Sequence, residues 1–270
     1  MKVMFAIPTY KGIQCPPFVE SLAKTLELFR ENGIAHAVEL ICGCSYVQVA
    51  RNELARKFLE SDCDKVFFID EDVSWDPQGA LTIVQSGLPF VGGVYPLKSG
   101  YKSDAPFMVI LKCDDETWVP LCDGPYLRAF RTVGGFTCVD RSVFEEIKKA
   151  NPQLAYDEYH PDGDIPKFDF FPQGVRNHKW VGEDYAFCDL WTALGEEIYI
   201  VPDIDFGHHN KGRSQFGNLL RYIRQLPGGG DHGKEGVEKD LWGDETNAGY
   251  VDQVAQEEKG AERADHVGVP

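Results

Sequence analysis

Three acids stand where an apolar run ends, in Lys65-Val66-Phe67-Phe68-Ile69-Asp70-Glu71-Asp72. The run Val66 to Ile69 has the length of a buried strand. In an α/β protein such a strand delivers the next residues of the chain to the carboxyl edge of the sheet, where ligands bind. Asp70 and Asp72, at i and i+2, repel each other when packed side by side unless a cation lies between them. The pattern marks a candidate site for a divalent metal carrying a phosphorylated substrate. The plainer reading is a solvated acidic turn opening a helix at Asp76-Pro77, because acids favour helix N-termini.

Four further groups could join that chemistry. Gly182-Glu183-Asp184 precedes Ala186, Phe187, Leu190 and Trp191. The two acids are either the charged first turn of an amphipathic helix or a carboxylate placed as general base for an acceptor hydroxyl. Asp203 to His209 ends in His208-His209. A strand-end imidazole there either completes an oxygen-rich metal site or is a hydrogen-bonded structural residue. Pro8-Thr9-Tyr10 comes after the first strand, where Thr9 and Tyr10 could meet a base or ribose. Arg51, beside Asn52, is a solvated helix residue or a bidentate donor to a diphosphate.

Strand and helix signals alternate ahead of these groups. Strands are expected at Val3 to Ile7, Ala37 to Cys42, Lys65 to Ile69 and Pro89 to Val94, with helices at Pro17 to Glu31, Val47 to Leu59 and Pro77 to Ser86. This order predicts a parallel sheet with helices on both faces. Short strands are expected next at Phe107 to Lys112, Trp118 to Leu121, Tyr126 to Val133 and Phe136 to Val139, then a helix over Arg141 to Ala150. Asn151 to His178 reads as a long functional loop. A helix over Gly182 to Leu194, a strand over Glu197 to Val201 and a helix over Gln215 to Gln225 complete the body. Gly228-Gly229-Gly230 opens a polar tail with a short helix from Val251 to Arg263. The chain thus divides into a body, 1–226, and an acidic tail, 227–270. No internal repeat is present.

The 270 residues can bury one large core, and no run of about 18 apolar residues spans a membrane. The apolar start of the chain is cut short by Pro8 and reads as a strand, so a non-secreted, cytoplasmic protein is expected. Eight dispersed cysteines, none in a CxxC pair, read as reduced thiols. The net charge of −16 includes eleven acids against four lysines and arginines between Asp231 and Asp265. That balance shows no broad footprint for nucleic acid, although Lys211, Arg213, Arg221 and Arg224 could form a local basic groove.

Taken together, these motifs resemble a glycosyltransferase of the GT-A fold, closest to family-2-like enzymes of bacteria, phages and large viruses. The resemblance spans Lys2 to Leu220. It rests on Pro8-Thr9-Tyr10, Arg51-Asn52, Phe68 to Asp72 at the DxD position, Tyr95-Pro96-Leu97-Lys98, Gly134-Gly135-Phe136, Gly182 to Cys188 and His208. It departs after the second strand, where Cys42-Gly43-Cys44-Ser45 replaces the acidic stretch that touches the nucleobase in common members.

The resemblance implies a Rossmann-like, mostly parallel α/β sheet with helices on both faces and a small antiparallel β element on the acceptor side, with 1–226 as the catalytic domain, 1–100 its donor-binding half and 101–226 its acceptor-binding half. It implies a nucleotide-sugar donor, a UDP-sugar first, bound by Pro8, Thr9, Tyr10, Arg51, Asn52, Asp70, Glu71, Lys98 and Gly135. Mn²⁺ or Mg²⁺ would be held by Asp72 and His208, with Asp70 sharing it through water or binding ribose, and His209 as the fallback ligand. Asp184 would be the base and Glu183 would position it or the acceptor. Burial would raise the Asp184 pKa, and direct attack would invert the anomeric carbon. Tyr156 to Trp180 would form an acceptor wall or a lid. The acceptor would be a glycan or a hydroxymethylated base of phage DNA. A nucleotidyltransferase is the runner-up, although only Lys11-Gly12 stands where it would need a Gly-rich basic loop. A nucleotide- or carbohydrate-binding module with an inactive site is the third reading.

Overall fold

The alternation of side chains along the first and third strands sets the layers of the molecule. The computed structural model describes residues 1–98, 107–210 and 213–226. The tail 227–270, its expected helix and Lys211 lie outside the described residues. β1 (Lys2–Thr9), α1 (Pro16–Glu31), β2 (Ala35–Cys42), α2 (Val47–Glu60) and β3 (Lys65–Ile69) keep the expected order. Val3, Phe5 and Ile7 of β1 and Phe67 and Ile69 of β3 face one side of the sheet. Met4, Ala6, Val66 and Phe68 face the other. This is the period of two that a strand buried on both faces requires. On the first side pack Phe18 and Phe29 of α1, together with Ala80 and Ile83 of α3 (Pro77–Gln85). On the second pack Leu54 and Phe58 of α2, Phe144 of α4 (Arg141–Ala150) and Phe187 of α5 (Glu183–Thr192).

Between these helices run β4 (Val73–Trp75), β5 (Phe90–Gly92), β6 (Val109–Leu111), β7 (Cys122–Asp123), β8 (Tyr126–Thr132) and β9 (Phe136–Asp140). After α4 come β10 (Ala155–Glu158), β11 (Ile165–Phe168), β12 (Gly174–Arg176) and β13 (Lys179–Val181). After α5 come β14 (Ile198–Ile200), β15 (Phe206–Asn210), β16 (Arg213–Gly217) and α6 (Leu219–Gln225). The main sheet has nine strands in the order β2-β1-β3-β9-β5-β14-β8-β6, with β7 beside β8. Only β9 and β8 run against the other seven. The fold is therefore mixed α/β, mostly parallel by strand direction, with helices on both faces and small antiparallel sheets beside it. Among the described residues no helix is long and apolar enough to cross a membrane.

Four expectations are corrected. Trp118 to Leu121 is not a strand. Asp114 Oδ1 accepts from the backbone of Glu116 and Thr117, Trp118 takes a φ of +56°, and only Pro120 bridges to Cys113. Such a side-chain turn uses the backbone donors that a strand would need. The expected loop Asn151 to His178 is largely two hairpins, β10–β11 and β12–β13. The second turns on Asn177 and His178 at φ +47° and +62°, the two positive values a tight hairpin turn requires. The expected helix from Gln215 starts later, because β16 first pairs with β15. The helix then opens at Asn218, whose side chain accepts from the Arg221 N–H. Finally, the residues between Asp72 and Asp76 are not a solvated turn. They form β4, which pairs with β15 and builds the small sheet β16-β15-β4.

One arginine ties α2 to α4. The Arg141 guanidinium donates to the carbonyls of Phe58, Leu59, Ser61 and Cys63 at 2.7–3.2 Å and lies over the Phe58 ring. It thereby satisfies the orphan carbonyls at the end of α2. Arg141→Met takes this donor from the carbonyls of Leu59, Ser61 and Cys63, while Phe58 still accepts from Ser61, and is expected to cost about 3 kcal/mol in urea unfolding, with Arg141→Lys recovering part of the loss.

Candidate active site

The site begins where β3 ends. The Asp70 N–H donates to the Gly135 carbonyl at 2.9 Å, so the turn before β9 lies directly over the acid. Asp70 Oδ1 accepts from Arg51 Nη2 at 2.8 Å and Oδ2 from the Tyr95 hydroxyl at 2.9 Å. A Cβ on Gly135 would overlap Asp70 Oδ2 and the Tyr95 hydroxyl, and one on Gly134 would come 2.8 Å from Arg51 Nη1. The Gly134-Gly135 pair is thus required by close approach.

Arg51 is the centre of this network. It projects from α2, is only 3% exposed, and pairs through Nη1 with Glu183 as well as through Nη2 with Asp70. Burial opposes its charge, but Asp70, Glu183 and Asp184 outweigh burial and hold the guanidinium firmly protonated. Its Nε is buried without a hydrogen-bond partner among the described residues. Tyr95 is buried beside it, and burial together with the Asp70 charge keeps the phenol un-ionised.

Glu183 and Asp184 occupy the first turn of α5, where backbone N–H groups favour negative charge. Asp184 Oδ1 accepts from the Tyr185 N–H at 2.8 Å and Oδ2 from the Gly134 N–H at 3.4 Å. Burial pushes the Asp184 carboxyl above its ordinary range, and Arg51 only partly offsets this. Glu183 is raised for the same reason, with the neighbouring Asp184 charge adding to it. A small cavity behind Asp184 is walled by Phe68, Phe90, Phe171 and Phe187, which explains the poor solvation.

Asp72 belongs to a second cluster. The pairing of His208 with Val73 across β15 and β4 sets the imidazole next to it. His208 Nε2 lies 3.5 Å from Asp72 Oδ1, and Lys98 Nζ donates to Asp72 Oδ2. His208 Nδ1 is 2.7 Å from the Pro96 carbonyl, which can only accept, so Nδ1 carries a hydrogen. In the neutral ring the Nε2 lone pair then points at a carboxylate. Two acceptors face each other in this way only when a proton or a cation lies between them. Burial works to raise the Asp72 carboxyl, but His208 and Lys98 overcome it and hold the group below its ordinary value. The Tyr95 ring meets the His208 ring edge-on at 4.7 Å and so joins the two clusters.

Several expected site residues stand elsewhere than the spacing implied. Asp70 and Asp72 each have a cation of their own, Arg51 at the first and Lys98 at the second. Asp70 has both oxygens engaged by Arg51 and Tyr95. His209 is held at Nδ1 by Ser214 Oγ and at Nε2 by Ser74 Oγ, both at 2.8 Å. It is a strut of the small sheet, since neighbours on a strand face opposite ways. Asn52 points away from Asp70 and pins the segment after β11, with Nδ2 on Asp169 Oδ1 and Oδ1 on the Phe170 N–H. Thr9 donates to Glu71, Pro8 is buried in β1, and Tyr10 is exposed at the sheet edge. Sequence reasoning gave no separate role to Tyr95, Gly134 or the Pro96 carbonyl. Tyr95 resembles one more apolar residue, and a backbone carbonyl leaves no trace in a sequence.

Among the described residues no three His, Cys, Asp or Glu side chains converge as a metal cluster. Asp72 and His208 supply two donors, an oxygen and an imidazole nitrogen fixed through its other nitrogen by a carbonyl. That donor set and its outer support suit an Mn²⁺-like ion that takes its other ligands from a substrate.

No family model matches the chain, and no curated protein matches it. Among solved structures it is similar to GalNAc-T7, crystallised with UDP, GalNAc and Mn²⁺, at 14% identity and a TM-score of 0.39. That likeness covers 77% of this chain but only 44% of GalNAc-T7, so the chain spans less than half its length. It is also similar to a glycosyltransferase involved in glycosylation of the major capsid of PBCV-1, at 10% identity and a TM-score of 0.30, over 57% of this chain and 67% of that one.

Proposed function

We propose that the chain is a metal-dependent, inverting glycosyltransferase of the GT-A type, transferring a sugar from a UDP-sugar to a hydroxyl of a glycan. The observation that carries this reading is the pairing of two unlike clusters at one sheet edge. One, Asp72 with His208 and Lys98, suits a cation and a diphosphate. The other, Asp184 with Glu183, offers a desolvated base. Arg51, Asp70 and Tyr95 link them.

Asp72 and His208 would hold Mn²⁺ or Mg²⁺, which when bound supplies Lewis-acid stabilisation of the departing diphosphate. Asp184 takes the proton of the acceptor hydroxyl as the new bond to the anomeric carbon forms and the bond to the diphosphate oxygen breaks. Its raised pKa makes it a stronger base than an exposed aspartate. Glu183, fixed by Arg51, keeps α5 and Asp184 in register. Asp70 has unused lone pairs for a ribose hydroxyl, and Thr9, Tyr10 and Glu71, at or just beyond the ends of β1 and β3, would meet the nucleotide.

The glycan acceptor is supported by the β12–β13 hairpin, which ends one residue before Gly182, the N-cap of α5. Its Trp180 is 67% exposed, and Tyr159 before β11 is 82% exposed. Rigid exposed aromatic faces suit the C–H surface of a pyranose. The charge of −16 opposes a duplex DNA acceptor.

A mass-spectrometric screen of nucleotide sugars with Mn²⁺ tests the whole reading. Nucleoside diphosphate and free or transferred sugar are expected, lost on chelation and in Asp72→Asn. Release of pyrophosphate would instead indicate a nucleotidyltransferase, and donor binding without turnover an inactive module. Asp184→Asn is expected to lower kcat by about 10²- to 10⁴-fold with donor affinity retained. The same variant should melt higher than wild type, because a carboxyl whose pKa is raised by folding destabilises the fold once ionised. In the wild-type rate, kcat should climb with pH as Asp184 loses its proton, with a midpoint above the ordinary 3.8. Trp180→Ala should raise the acceptor KM about tenfold, a loss of about 1.4 kcal/mol, and leave the donor KM unchanged.

A further inference from the structure

The short segment after β5 touches Asp70, Asp72 and His208 at once. Tyr95 donates to Asp70, the Pro96 carbonyl holds His208 Nδ1, and Lys98 donates to Asp72. Tyr95 is buried, and Pro96 is tied by a β-bridge to Phe107. Lys98 differs from both. Its side chain and that of Asp72 are each 32% exposed, and the ammonium rides on a flexible four-carbon stem. A half-buried ion pair of this kind is weak and exchanges readily.

We propose that Lys98 is the resident cation of the Asp72 carboxylate, and that a divalent ion enters the site by displacing it. The inference rests on the reading of Asp72 and His208 as the metal-holding pair. Its physical basis is charge. An ammonium donating to one oxygen of a carboxylate cannot stay beside a divalent ion bound at the other, because two like charges would sit within a few ångströms. His208 is held by Pro96 and need not move, so the exchange involves a single side chain. The displaced ammonium faces the nearest remaining anion, which in the donor complex is the diphosphate sharing the ion. Lys98 thus opposes the metal while the donor is absent and favours the donor once the metal is in.

Lys98→Met separates these effects, with Mn²⁺ binding to donor-free protein read by electron paramagnetic resonance of the free ion. Thermal melting serves as the folding check. The variant should bind Mn²⁺ about tenfold more tightly than wild type, yet bind UDP about tenfold more weakly at saturating Mn²⁺. Lys98→Arg, which keeps the charge, should stay close to wild type in Mn²⁺ affinity. Equal or weaker Mn²⁺ binding by Lys98→Met, in a protein whose Mn²⁺ binding is lost in Asp72→Asn, overturns the displacement and leaves the metal reading intact. Absence of Mn²⁺ binding in both wild type and Lys98→Met overturns both.

Discussion

Arg51 carries a full positive charge where water scarcely reaches, and a buried charge is tolerated only with partners. It draws them from β3 and α5, segments more than a hundred residues apart in the chain. The guanidinium fork suits this role because its donors lie in one plane at fixed angles. Nη2 fixes Asp70 and Nη1 fixes Glu183, so the end of β3 and the start of α5 cannot drift independently. The Gly134-Gly135 turn fits against the same network: a side chain at Gly134 would meet the fork, and one at Gly135 would meet Asp70 and Tyr95.

One cation among three carboxylates leaves an excess of negative charge, and the structure distributes it unevenly. Asp70 takes a direct bond from the guanidinium and another from Tyr95. Glu183 takes a direct bond but lies beside Asp184. Asp184 has two backbone N–H groups and the phenylalanine-lined cavity behind it. Burial is the first cause of the raised pKa at both α5 acids. In the proposed reaction this suits Asp184, which is poorly solvated and has no ion pair among the described residues, to the role of proton acceptor. Position in the network, more than residue type, distinguishes it from Asp70.

Much of the framework is legible in the sequence because it rests on local pattern. The period-2 burial of β1 and β3 and the helical faces of α1 and α2 appear directly in the spacing of Val, Ile, Leu and Phe. The abrupt change from Ile69 to Asp70 marks the sheet edge for the same reason. The rest depends on pairings across long separations. Nothing near Val73 reveals that it pairs with His208, and nothing near Asn52 reveals that its amide is taken up by Asp169 and Phe170. The segment Asn151 to His178 reads as loop because its strands are short and exposed, so they lack the apolar alternation that marks a buried strand. Antiparallel β9, inserted between β3 and β5, is equally hidden, since strand order is a property of the whole chain.

The i, i+2 spacing of Asp70 and Asp72 does not place the two acids on one face of a strand. On a continuing strand the two side chains would share a face and repel. The strand stops at Ile69, and the Val73 N–H closes a turn onto the Asp70 carbonyl at 3.2 Å. Across this turn each carboxylate meets its own cation, and the two cations differ in character. Asp70 meets a buried, forked guanidinium that cannot leave without exposing an unpaired charge. Asp72 meets a half-buried ammonium on a flexible stem, beside an imidazole whose Nε2 faces it. A permanent partner holds the first acid in the framework, whatever hydroxyl it also accepts from. On the proposed reading, an exchangeable partner leaves the second open to a competing ion, so the cation beside each acid, more than the acid itself, marks which of the two takes the metal.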